Sequence, residues 1–83
     1  MTPKIPPPLS SMAASIEAGS LYEHFKGLRY KVLAVARHSE TLEEFVVYQA
    51  LYGEAGVWVR PLSMFVENVT VNDQTQPRFK RIQ

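Results

Sequence analysis

The chain has 83 residues, nine basic and eight acidic side chains, and no cysteine. That length limits it to one small domain, which buries only about 60% of its unfolded surface. Disulfide stapling and thiolate zinc sites are excluded, and a net charge of +1 gives no general pull toward nucleic acid or an anionic membrane.

The first segment holds Pro3, Pro6, Pro7 and Pro8. Proline fixes φ and removes a backbone donor, so this stretch forms neither a helix nor an inner strand. It reads as a disordered leader over residues 1–19, with a polyproline ligand for a partner's aromatic groove as the sharper alternative. One lysine, four prolines and no continuous apolar stretch make a signal peptide a poor fit. Within residues 10–18 a short helix is expected, capped by Ser10 or Ser11, and too short to be stable alone.

From residue 20 onward strand signals dominate. A first strand is predicted over 21–26, closed by Gly27. Residues 30–37 form a second, with Tyr30, Val32, Ala34 and Ala36 on one side and Lys31, Leu33, Val35 and Arg37 on the other. Residues 44–52 form a third, with Phe45, Val47, Gln49 and Leu51 facing one way and Val46, Tyr48, Ala50 and Tyr52 the other. The segment 53–56 carries two glycines and has hairpin length. It leads into a fourth strand over 57–60, where placing Val57 and Val59 in the core puts Trp58 and Arg60 on the outer face. Pro61 ends the ladder. Residues 62–65 read as one tight turn of 3₁₀ helix, 66–71 as the fifth strand, and Asn72-Asp73 as a turn. The tail 76–83 alternates weakly, with Phe79 as its anchor.

Five short strands packed so closely argue for a small all-β antiparallel barrel over residues 20–83 rather than a βαβ unit. Strands apolar on both faces imply either a strongly bent antiparallel sheet folded onto itself or a partner covering the second face. A single helical turn before the last main strand is the pattern of SH3-like barrels.

Three constellations carry possible chemistry. The loop Arg37, His38, Ser39, Glu40 and Thr41 pairs an imidazole with a carboxylate two residues on, a base-and-orienter pattern. Its plainer reading is a turn in which hydroxyls cap backbone amides, and Thr41 with Glu44 also resembles a capping box. The aromatics Tyr22, Tyr30, Tyr48, Tyr52, Trp58 and Phe65 offer a stacking platform or cage, with core packing as the alternative. Arg37 and Arg60, each at a strand's C-terminal end, are expected to meet at one rim and suit a phosphate or carboxylate; Arg78, Lys80 and Arg81 extend the basic group. No metal or cofactor is indicated. His24, His38, Glu23 and Glu40 lack metal-ligand spacing, the 53–56 turn lacks the Lys-Ser/Thr of a P-loop, and no Gly-x-Ser-x-Gly elbow occurs.

Several pieces in order also carry a resemblance: Tyr22-Glu23-His24-Phe25-Lys26-Gly27, Tyr30-Lys31-Val32, Ala36-Arg37-His38-Ser39-Glu40-Thr41, Val47-Tyr48-Gln49-Ala50-Leu51-Tyr52-Gly53, and Trp58-Val59-Arg60-Pro61 with Met64-Phe65. Together they resemble the bacterial domain-of-unknown-function family 1653. The resemblance implies a compact cytoplasmic bacterial domain and no known reaction, so no catalytic residue carries over.

The expectation is therefore a non-enzymatic binding or adaptor module in a reducing cytoplasm, a setting that suits a small cysteine-free domain. It would take a peptide or a nucleotide-like anion at a face built from Arg37, His38, Ser39, Glu40, Thr41, Tyr48, Tyr52, Trp58 and Arg60. A small enzyme using His38 and Glu40 and a structural homo-oligomeric subunit are the alternatives. No apolar run approaches the ~18 residues of a membrane-spanning helix.

Overall fold

The structure is a computed structural model and describes residues 7–83. The expected disorder and polyproline role of the leader therefore fall, for residues 1–6, outside the described residues. From residue 7 the chain is seated on the domain. Helix α1 (Ser11–Ala14) is capped by Ser10, whose hydroxyl accepts the Ala13 amide at 3.1 Å. Ala13 is fully buried in the core. The helix spans four residues of the predicted nine because its backbone bonds run out at Ile16.

Seven strands follow: β1 (Leu21–His24), β2 (Arg29–Arg37), β3 (Glu44–Ala50), β4 (Val57–Pro61), β5 (Asn68–Val71), β6 (Gln74–Pro77) and β7 (Phe79–Arg81). Helix α2 (Leu62–Phe65) lies between β4 and β5. The main sheet is antiparallel throughout, in the order β4-β3-β2-β1-β7, and β5 with β6 forms a separate hairpin. The expected five strands become seven because the weakly alternating tail is two strands. Asn72 and Asp73 take positive φ and turn β5 directly into β6, and β7 then returns to pair with β1.

The fold is thus all-β and antiparallel, but the ladder is open. Strands β4 and β7 are the two ends of the sheet and do not pair with each other, so no closed barrel forms. What brings the ends together is packing. Phe79 on β7 stacks on Phe65 of α2 at 4.3 Å and 8°, and lies 5.4 Å from the Tyr48 ring on β3. Phe65 also meets Tyr22 edge-on at 5.1 Å. Tyr22, Val32, Val46, Tyr48, Leu62, Phe65, Phe79 and Ala13 form the core. Helix α2 is one α-turn rather than 3₁₀, since the Val66 amide donates to the Leu62 carbonyl four residues back at 3.0 Å.

A β-bulge at Leu33 changes the face assignment of β2. Val32 pairs with Tyr48, but Ala34 pairs with Val47, so one residue is inserted between them. A one-residue slip moves each later side chain to the opposite face. Tyr30 and Val32 face the core as the alternation predicts. Beyond the bulge it is Val35, not Ala34 or Ala36, that packs inward opposite Val46. On β4 the phase is also the reverse of one expectation. Trp58 and Arg60 pair with Tyr48 and Val46, on the core-facing side, while Val57 and Val59 lie on the outer face with Gln49 and Val47. Val57 and Val59 are therefore not core. They are 58% and 61% exposed, and Trp58 at the sheet margin is 59% exposed.

Candidate functional site

The core-facing side of the sheet continues past the core into an open cleft of about 220 Å³ lined by Tyr30, Tyr48, Tyr52, Trp58 and Arg60. Each lining residue has a local cause. Tyr30 is the second residue of β2 and lies opposite Ala50, the last residue of β3. Tyr48 and Trp58 are a cross-strand pair. Tyr52 follows β3 in the connecting loop, and Gly53 at φ 57° and Ala55 at φ 56° turn that loop back toward β4. Gly56 lies against the indole, where a Cβ would meet Trp58 Nε1 at 3.4 Å, an ordinary contact.

The polar groups of the cleft are ordered. The Tyr30 and Tyr52 hydroxyls are 2.5 Å apart, and the two rings meet edge-on at 5.5 Å. Burial, then the hydrogen bond to Tyr52, pushes the Tyr30 hydroxyl up to about 12, so it is a neutral phenol at physiological pH. Arg60 Nε donates to the Tyr48 hydroxyl at 3.3 Å, and its guanidinium carbon lies 5.7 Å from the Phe79 ring centroid. These two contacts fix the guanidinium plane. Arg60 forms no ion pair among the described residues, and its Nη groups have no hydrogen-bond partner there.

The local field is positive. Burial first, and then the charges of Arg60, Arg78 and Lys26, hold His24 below the usual imidazole range. A cage for a quaternary ammonium needs aromatic faces without a competing cation, so this cleft suits an acceptor or an anion. Its aromatic walls add stacking area.

The loop 37–41 lies elsewhere. Arg37 lies seven positions along β2 from Tyr30, roughly 20 Å along the strand, and the loop closes on itself. His38 Nδ1 accepts the amides of Glu40 and Thr41 at 3.1 and 3.2 Å, and Thr41 Oγ1 accepts the Glu43 amide at 3.2 Å. His38 thus uses Nδ1 on backbone and makes no hydrogen bond with the Glu40 carboxylate, so the base-and-orienter pair is not assembled. Ser39 is exposed beside them. The capping-box reading of Thr41 and Glu44 does not hold, because a strand and not a helix begins at Glu44.

Arg37 and Arg60 do not converge on one ligand. Arg37 Nη2 donates to the Pro7 carbonyl at 2.5 Å. The neighbouring Glu44 carboxylate accepts the Ser10 hydroxyl at 2.6 Å and the Ser10 amide at 2.8 Å. Those bonds, the hydroxyl first, hold Glu44 below the usual carboxylate range. This pair clamps the segment before α1. In the C-terminal basic group, Arg78 pairs with Glu67 at 2.7 Å and Arg81 with Glu17 at 2.8 Å, and Lys80 is exposed. Two larger depressions, about 430 and 370 Å³, are lined by these same groups, Arg81 with Glu17 in one and Glu44 with Ser10 in the other. In each, the named pair is already engaged within the chain. Among the described residues no group of His, Asp and Glu could hold a metal ion, and no helix is long and apolar enough to cross a membrane.

Of the nine expected site residues, the fold gathers Tyr48, Tyr52, Trp58 and Arg60 and separates Arg37, His38, Ser39, Glu40 and Thr41 from them. Tyr30 is the lining residue missing from that set. The signal for it was the core-side alternation of β2, which puts it across from the end of β3.

Comparison with known proteins agrees with the order of motifs. A family model described as protein of unknown function (DUF1653) matches residues 20–81. A crystal structure of a DUF1653 protein from Bordetella bronchiseptica is similar at 38% identity with a TM-score of 0.74, covering 84% of this chain and 91% of that one. No curated protein matches. The match spans every strand from β1 to β7, and the chain belongs to the DUF1653 family.

Proposed function

We propose that the protein is a non-enzymatic binding module whose site is the cleft of Tyr30, Tyr48, Tyr52, Trp58 and Arg60. Residues 20–83 are taken as the binding domain, working in the reducing cytoplasm that a cysteine-free chain suits. Five curled strands with one helical turn after β4 support reading the sheet as an opened form of an SH3-like barrel.

The observation that carries this reading is Arg60. Its guanidinium is oriented by Tyr48 and Phe79, is flanked by exposed Trp58, and has no carboxylate partner among the described residues. A cation held in that way is matched by a ligand with an anionic group, and the indole and tyrosine rings accept a flat or apolar portion beside it. Catalysis has less support, since the one His-carboxylate candidate is used as a loop cap.

A thermal-shift screen with mononucleotides, short oligonucleotides and short acidic peptides tests the site. A ligand of the folded state raises Tm by mass action. The expected result is at least one class of hit, lost in Arg60→Ala while the unliganded variant still folds. Hits indifferent to Arg60→Ala, or no hit in any class, would sink the reading.

A further inference from the structure

We infer that the cleft is one half of a strand-addition site, and that its ligand is an extended peptide carrying a carboxylate, paired along the free edge of β4. This rests on the cleft being a binding site and names what it takes.

The first observation is the direction of the backbone groups. The Ala50 amide donates to the Gly56 carbonyl at 2.9 Å, in register with the β3–β4 pairs. In an antiparallel ladder hydrogen-bonded and non-bonded pairs alternate. Trp58 and Arg60 therefore direct their N–H and C=O groups at β3, while those of Val57 and Val59 point away from the sheet. Strand β4 ends the ladder and pairs only with β3, so no described strand lies on that side of the valines. The open edge offers two N–H and two C=O groups at the two-residue spacing that a neighbouring strand uses.

A second observation is that the usual protection is confined to the end of the strand, at Arg60 and Pro61. Edge strands are guarded by shortness, charge, bulges or proline. At the other margin, β7 is three residues long and carries Lys80 and Arg81. In β4 the run Val57-Trp58-Val59 is apolar, exposed at every position and uncharged until Arg60.

Third, the two faces of the edge differ in a way that specifies the occupant. A strand laid beside β4 alternates its side chains between faces. Those across from Trp58 and Arg60 enter the cleft, and those across from Val57 and Val59 join the outer apolar surface with Val47 and Ala34. The guest sequence that fits is alternating, with apolar residues toward the valines and an acidic residue or C-terminal carboxylate at Arg60. A second copy of this chain fits less well, because β4 contains Arg60 and no acidic residue to meet it.

The test uses the full chain and a phage-displayed library of random dodecapeptides. Enriched sequences should alternate apolar residues and include a carboxylate. The selected peptide is then resynthesised with one backbone N-methyl group at a time. Strand addition predicts that alternate positions are intolerant, each losing roughly tenfold or more in affinity, while the positions between bind normally. Val59→Pro should cause a similar loss, since that N–H faces away from β3 and its removal leaves the β3–β4 ladder intact. No enrichment, or equal tolerance to N-methylation at every position, overturns the inference. If AMP or inorganic phosphate binds in an Arg60-dependent way and peptides do not, strand addition fails and the cleft reading survives. If nothing binds, both fail. A sedimenting dimer that Val59→Pro converts to monomer also overturns it, by placing a second copy on this edge.

Discussion

Tyr30 and Tyr52 show what the cleft asks of single residues. Each hydroxyl serves the other, and Tyr30 is held protonated first by burial and then by that bond. Above pH 10 an unfolded chain loses the Tyr30 proton while the folded one keeps it up to about 12. The stabilisation from this group is therefore complete below pH 10 and is lost as pH rises through the folded value. Tyr52→Phe removes the second cause and leaves the first. An absorbance titration of the phenolates should show the latest-ionising tyrosine shifting down, part of the way toward 10; an unmoved late transition would mean that Tyr52 plays no part. At this scale much of the cleft was legible. Tyr48, Trp58 and Arg60 follow from alternation once register is known, and Tyr52 from its place at the end of β3. The 37–41 loop was misleading because polar density reports exposure, not distance, and nothing in its own residues says that β2 carries it roughly 20 Å away.

Elements divide into those that build the core and those that aim it. Helix α2 is one turn long, yet it places Leu62 and Phe65 inside and leaves Ser63 and Met64 in solvent. Phe65 is 1% exposed and touches three other rings. Phe65→Ala should cost about 3–5 kcal/mol, and Met64→Ala on the same turn within about 0.5 kcal/mol. Urea unfolding of the two variants checks this, and equal losses would show that the turn acts through its backbone rather than through Phe65. Strand existence was readable from β-branched and aromatic runs, and so was the short turn after Pro61. Its type was not, because a four-residue segment carries no periodicity to separate α from 3₁₀. The bulge at Leu33 was equally silent. Residues 30–37 alternate as well in either phase, since Leu33, Ala34, Val35 and Ala36 are all apolar, and only pairing with Val47 selects one.

For the whole molecule, the open sheet depends on aromatic packing around Phe79 to hold its two margins near each other. His24 belongs to that region, edge-on to Phe79 at 5.0 Å and close to Phe25 at 4.4 Å. Its folded-state value lies below 6.5, because burial and then Arg60, Arg78 and Lys26 disfavour the imidazolium. As pH falls below 6.5 the unfolded chain takes up a proton that the folded chain accepts only at lower pH. This contribution is present above 6.5 and lost as pH falls. Urea unfolding at pH 7.5 and 5.5 should show a loss at the lower pH that His24→Gln reduces; the same loss in the variant would assign it to other groups. Fold class was legible from strand density and the lack of long helical periodicity, whereas closure was not. Whether the end strands pair is decided by register summed over every strand between them, and the bulge in β2 alters that sum.

The unlike margins of the sheet have one more consequence. Endless stacking of molecules side by side requires two joinable ends that match. Here a short cationic border stands opposite an apolar one, so growth that starts at β4 meets a terminus after one step. Under the proposed strand addition, a border with an open apolar run on one side alone takes up a single segment without becoming the seed of a fibre.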